Sequence, residues 1–163
     1  SEMSNKLSRI KKNRRNLTKG KESGGGQADS GSVINIKGGA QFQREVIEAD
    51  RPVIVDFWAP WCQPCKLMGP VFEAAARELA GEVTMVKVDT QANPDLARSF
   101  NIASIPSLLV FYRGEVIDAR IGVTPKPQLM ALAQRALDKH NGVGALGKIK
   151  RLLSGGNEKR AVA

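Results

Sequence analysis

The chain is predicted to fold as an α/β domain, and three observations point there. Apolar runs of strand character alternate with segments of helical periodicity; two strands in succession and a helix close the pattern; and the core-building residues are confined to the middle of the chain. All 8 prolines, both cysteines and every Phe, Trp and Tyr of the 163 residues lie between Phe42 and Pro127.

Taken in order, a short apolar stretch over 33–36 predicts a first strand. Phe42, Val46, Ile47 and Ala49 then recur at helical spacing. Residues 53–58 are apolar except for Asp56, the mark of a buried strand. A helix is expected over 62–80, with Leu67, Met68, Val71, Phe72, Ala75 and Leu79 turned inward, Pro70 kinking it and Gly81 closing it. Strands over 83–88 and 108–112 bracket a short helix over 94–100 that opens on a proline. Arg113-Gly114 turns the chain into a strand over 116–121. The last helix starts near Thr124 and Pro125, carries Leu129, Leu132, Ala133, Ala136 and Leu137 on one stripe, and ends by Gly142. The order is β-α-β-α-β-α-β-β-α.

The formal charge of +9 is unevenly spread. Residues 1–32 hold 8 Lys/Arg against 3 Asp/Glu, residues 33–137 hold 11 against 11, and residues 138–163 hold 6 against 2. Residues 1–32 therefore read as a disordered basic arm with a Gly/Ser linker, 33–140 as the domain, and 141–163 as a flexible basic tail with room for one short amphipathic helix. The tails lack aromatics for base stacking, so weak, salt-sensitive contact with nucleic acid or an anionic membrane is the most expected of them. No stretch has the roughly 20 apolar residues of a membrane span, and the first 30 residues lack the apolar middle of a secretory signal. The expected location is the cytoplasm, with organelle targeting by the basic N-terminal segment as the alternative. Two cysteines and the single His140 cannot complete a four-ligand zinc site within one chain, so no metal is expected.

Chemistry is concentrated where the buried strand runs into a helix through Cys62-Gln63-Pro64-Cys65. A thiolate at a helix start faces unpaired backbone N–H groups and the positive end of the dipole, which favours its ionised form. Cys62 is thus the expected exposed, attacking sulfur, and Cys65, one turn inside, the shielded resolving one. Pro64 suits the first helical turn and Gln63 points outward. Asp56, an acid in an apolar strand, should titrate high and is placed to accept the Cys65 proton; the alternative is an acid satisfied by local hydrogen bonds. Lys87 on the neighbouring strand reads either as its charge partner or as a solvated strand-edge lysine. Trp58 is assigned to the core and Trp61 to the surface, and His140 complements the dipole at the end of the last helix.

Residues 55–66, Lys87-Val88-Asp89, Ile105-Pro106-Ser107, Gly114 and Ile121-Gly122 stand in an order and spacing that resembles the thioredoxin family, nearest in wording to the catalytic domain of its thioredoxin 2 branch. The zinc ribbon of that branch is not expected from the cysteine-free arm. The resemblance implies the thioredoxin fold, a central mixed β-sheet flanked by helices. It also implies a protein-disulfide reductase in which Cys62 is the nucleophile, Cys65 the resolving thiol, Asp56 the buried acid and Pro106 a cis-proline facing the sulfurs. Trp61, Ile105, Pro106, Ile121 and Gly122, with Gln63 and Pro64 between the cysteines, would form the substrate-docking surface, Ile105 pairing with the target as an added strand. No bound cofactor is implied: the Cys62/Cys65 disulfide is reduced by an external donor, an NADPH-dependent thioredoxin reductase. Disulfide-containing proteins are the implied substrates, and the protein is expected to be monomeric. The family usually has Gly at the position of Gln63, which bears on redox potential and reductase recognition. A disulfide-forming oxidant and a non-catalytic tethering or holdase module with basic tails are the alternative functions.

Overall fold

The structure, a computed structural model, describes residues 31–142. The readings made for the basic arm, for most of its linker and for the tail beyond Gly142 lie outside those residues.

Among the described residues, five strands and four helices follow one another. β1 (Ile34–Asn35) is followed by α1 (Gly39–Phe42), which runs on as a π-helical turn over Gln43–Ile47. β2 (Val53–Trp58) leads to α2 (Gln63–Glu78), β3 (Thr84–Asp89), α3 (Pro94–Ser99), β4 (Ser107–Tyr112), β5 (Glu115–Ile121) and α4 (Lys126–His140). The predicted order holds throughout, with boundaries shifted by a residue or two and the first strand shortened to two residues. The strands form one mixed sheet in the order β1-β3-β2-β4-β5. β3 pairs in parallel with β1 and β2, whereas β4 is antiparallel to β2 and to β5. Arg113 and Gly114, both at positive φ (50° and 82°), make the two-residue turn between β4 and β5, the geometry whose twist matches the flanking strands.

Alternation along the strands feeds two cores, one on each face of the sheet. Val53, Val55, Phe57, Val86, Val88, Leu109 and Phe111 point to the face covered by α1 and α3, where Phe42 joins them. Ile54, Met85, Leu108 and Val110 point to the opposite face, against Met68, Phe72, Ala75 and Ala76 of α2 and Leu129, Leu132, Ala133 and Ala136 of α4. Every residue of the stripe predicted for α4 is buried. The α2 stripe needs a correction: Leu67 is exposed, because it shares its face with exposed Gln63 four residues earlier while Met68 and Phe72 take the inward side. The helix continues through Pro70, and its C-cap is Leu79.

Candidate active site

The site is assembled where the carboxyl end of β2 meets the start of α2. Cys62 is the N-cap of α2, in extended conformation (φ −87°, ψ 111°), and the Cys65 N–H donates to its Sγ at 3.3 Å. A sulfur at this position takes the place usually filled by a Ser or Asp oxygen, satisfying one of the helix's unpaired N–H groups. Cys62 and Cys65 are joined as a disulfide with their Cα atoms 5.3 Å apart. Ala59, Trp58 and Ile105 pack against the pair. Pro64 lies in the first turn of the helix, and Gln63 and Trp61 are exposed.

The expected difference in exposure between the two sulfurs is absent. Cys62 is 4% exposed and Cys65 3%. Their asymmetry is one of position, N-cap against first turn; Ile105 packs against the pair, and Cys62 Sγ lies 3.8 Å from the Ile105 carbonyl oxygen. The Ile105-Pro106 peptide bond is cis, as the resemblance implied. The Gly122 N–H donates to the Pro106 carbonyl at 2.8 Å, and Ile121 pairs with Ser107, so the end of β5 is fixed beside the same loop.

Asp56 is fully buried on β2, in register with Lys87 on β3 and Leu108 on β4. Two residues from Ile54, it points to the face covered by α2 and α4 and so toward the helix that carries the cysteines. Neither carboxyl oxygen has a hydrogen-bond partner among the described residues. Burial pushes its pKa up from 3.8 to about 7, against the opposing pull of the Lys87 charge. Lys87 lies on β3, the strand next to edge strand β1 rather than the edge itself, and is half-buried. Its ammonium sits 4.6 Å from the centre of the Trp58 ring, so it neighbours Asp56 as a charge held by an aromatic face. This role of Trp58, half-buried rather than core, was not legible from the sequence, where nothing signals which cation a tryptophan will meet.

The remaining sequence candidates sort by place. Trp61, Gln63, Pro64, Ile105, Pro106, Ile121 and Gly122 belong to segments that converge on the disulfide. His140 does not: it ends α4, where its Nδ1 is 3.3 Å from the Tyr112 hydroxyl. Among the described residues no three His, Cys, Asp or Glu side chains gather as a metal site.

The Thioredoxin family model matches residues 33–135, and those residues contain the whole of this site. The chain belongs to the thioredoxin family. It is 42% identical over 99 residues to thioredoxin 1 of Nostoc sp., an overlap that covers 61% of this chain and 89% of that one. With the thioredoxin of Porphyra purpurea it shares 48% identity over 90 residues, covering 55% of this chain and 84% of the relative. A crystal structure of the Malassezia sympodialis thioredoxin superposes with a TM-score of 0.61 at 34% identity, covering 65% of this chain and 91% of that one. As a thioredoxin, this protein is a thiol-disulfide oxidoreductase whose chemistry resides in the Cys62/Cys65 pair rather than in a bound cofactor. Membership brings disulfide-containing proteins as the substrates and a thioredoxin reductase as the general kind of electron donor. The tethering or holdase alternative is not favoured.

Proposed function

We propose that this thioredoxin works as a reductant of protein disulfides, with one role for each residue of the site. The reduced Cys62 thiolate, stabilised at the helix start, attacks a target disulfide and forms a mixed disulfide as one target thiolate leaves. Cys65 loses its proton to Asp56 and attacks Cys62 Sγ; the Cys62/Cys65 disulfide forms, the second target thiolate departs, and two electrons have passed to the target. Asp56 suits that step because burial keeps its pKa near the operating pH. Lys87 restrains the rise, so that the carboxylate is available at neutral pH. An NADPH-dependent thioredoxin reductase then restores the dithiol.

Trp61, Gln63, Pro64, Ile105, Pro106, Ile121 and Gly122 form the face on which the target docks, and Ile105 offers its backbone for pairing with an extended target segment. The domain spans 33–140; the basic segments on either side act in weak electrostatic contact with nucleic acid or an anionic membrane, and the protein works as a monomer in the cytoplasm. The observation that carries the reading is the cysteine pair at the start of α2 with a buried, unpartnered Asp56 on the strand leading into it. The reduction potential tests it. A value near the roughly −270 mV characteristic of thioredoxins is expected, and one near the roughly −120 mV of strong disulfide-forming oxidants would overturn the direction of the reaction.

A further inference from the structure

At the edge of the sheet away from the β4/β5 hairpin, α2 and the chain leading into β1 enclose a polar groove of about 380 Å³. The chain enters it close to the helix: a Cβ at Gly31, which has φ 76°, would come within 3.1 Å of the Ala76 carbonyl oxygen and of Arg77 Cα. Glu73 and Arg77 line the groove from α2, one turn apart, and Asn35 and Lys87 line it from the sheet. Among the described residues no ion pair uses Glu73, Arg77 or Lys87. Asn35 is in register with Lys87, and Lys87 with Asp56, so the three form one row across β1, β3 and β2 on the α2 face of the sheet. With strands about 4.8 Å apart, Asn35 lies roughly 10 Å from the buried acid, and Lys87 stands between them.

Two cations against one carboxylate leave the groove net positive, and the planar fork of an arginine beside a lysine ammonium suits phosphate oxygens. Glu73 makes the opposite demand, since it repels a bare dianion and accepts from a hydroxyl. The volume is that of a small-molecule site rather than an ion site, and among the described residues no aromatic side chain lines it to stack a base. We propose that this groove binds a small hydroxylated phosphomonoester, with Arg77 and Lys87 on the phosphate and Glu73 and Asn35 on its hydroxyls, and that the ligand acts on the active site through Lys87. A bound dianion offsets the Lys87 charge that opposes the rise at Asp56 and adds its own repulsion, so the carboxyl keeps its proton to higher pH. Fewer ionised Asp56 side chains then accept from Cys65, and resolution slows. That last step rests on Asp56 being the proton acceptor for Cys65, as proposed above.

Glucose 6-phosphate is the probe, added to the full chain at constant ionic strength and followed by NMR. Saturable shifts are expected at Asn35 and at Arg77 Nε, with binding weakened about tenfold by Arg77→Gln. Glu73→Gln should weaken the ester and not inorganic phosphate. The Asp56 titration should move up by roughly half a pH unit with the ester bound, and mixed-disulfide resolution near pH 7 should slow about twofold. Arg77→Gln should match the unaltered protein without the ester and lose the response to it. Shifts that chloride reproduces, or that survive Arg77→Gln unaltered, overturn the site. Inorganic phosphate binding as tightly as the ester, with Glu73→Gln tightening both, overturns the choice of ligand, and an Asp56 titration unmoved by bound ester overturns the coupling. If the ester binds and moves that titration while resolution keeps its rate, the groove stands and the role given to Asp56 falls.

Discussion

The two faces of the sheet are built from the same strands and do different work. On the α1/α3 side the core is aromatic: Phe111 meets Phe42 and Phe100 edge-on at centroid distances of 5.7 and 5.2 Å, and no charged side chain belongs to that cluster. On the α2/α4 side the same β2 strand that supplies Val55 and Phe57 to the aromatic core turns Asp56 inward without a hydrogen-bond partner, beside Lys87 and toward the disulfide helix. One residue of offset along a strand therefore separates packing from chemistry. A sheet tied down on one side can carry an unfavourable buried acid on the other, because the stability it gives up there is supplied by ordinary packing elsewhere.

The sharpest way to break this comparison is at the cysteines. Cys62→Ser should abolish disulfide reduction, while Cys65→Ser should still attack and hold its target as a mixed disulfide that appears as a covalent adduct on a non-reducing gel. Turnover retained by Cys62→Ser would reverse the roles. Neither change should disturb the aromatic face. Next in size is Phe111→Ala, expected to lower unfolding stability by about 3–5 kcal/mol, a large part of the 5–15 kcal/mol typical of a domain. Its reduction potential, measured below the unfolding midpoint, should match that of the unaltered protein; a displaced potential would show that the faces are coupled.

Asp56→Asn probes the other face, and the sign of its effect follows from the raised pKa. The folded state holds a proton on Asp56 up to about pH 7, where the unfolded chain has released it near 3.8. Stability is thus lost as pH rises through that window and is flat above it. A raise of this size corresponds to at most on the order of 4 kcal/mol. Asparagine cannot ionise, so Asp56→Asn should match the unaltered protein in urea unfolding at pH 4 and exceed its stability at pH 8, while resolution of the mixed disulfide slows for want of a proton acceptor. Parallel stability curves across pH would show that Asp56 is not the group responsible.

Much of this was legible in the sequence because the signals were local. Alternating apolar runs located the strands, Pro94 and Gly81 the ends of elements, Arg113-Gly114 the hairpin turn, and the Cys-x-x-Cys after an apolar strand the site. The failures came where a residue's environment is set by distant segments. Leu67 lies on a helix with the right periodicity, yet the width of the buried stripe depends on how α4 and the sheet seat against α2, and Leu67 falls outside it. Cys62, expected to be exposed, is buried and meets the Ile105 carbonyl, more than forty residues away in the sequence. Lys87 acts on the Asp56 charge as expected, but the Trp58 ring that its ammonium also meets, brought there by the parallel pairing of β2 and β3, was not signalled by the sequence.

The smallest expected effect separates the charge of Lys87 from its packing. Its ammonium lies over Trp58, and a Cβ at Gly69 of α2 would come within 4.0 Å of it, so the side chain occupies a defined place between sheet and helix. The Lys87 charge opposes the rise that burial imposes on Asp56. Lys87→Gln removes that charge with a side chain of similar reach, so the pKa of Asp56 should climb further above its ordinary value. The pH at which mixed-disulfide resolution reaches half its maximum should move up with it, because fewer Asp56 side chains are ionised at neutral pH. Stability below pH 4 should change little through Asp56, which is protonated in both proteins there. An NMR titration of Asp56 in Lys87→Gln that moves down, or stays in place, would mean that Lys87 acts on this face through its contact with Trp58 and not through its charge.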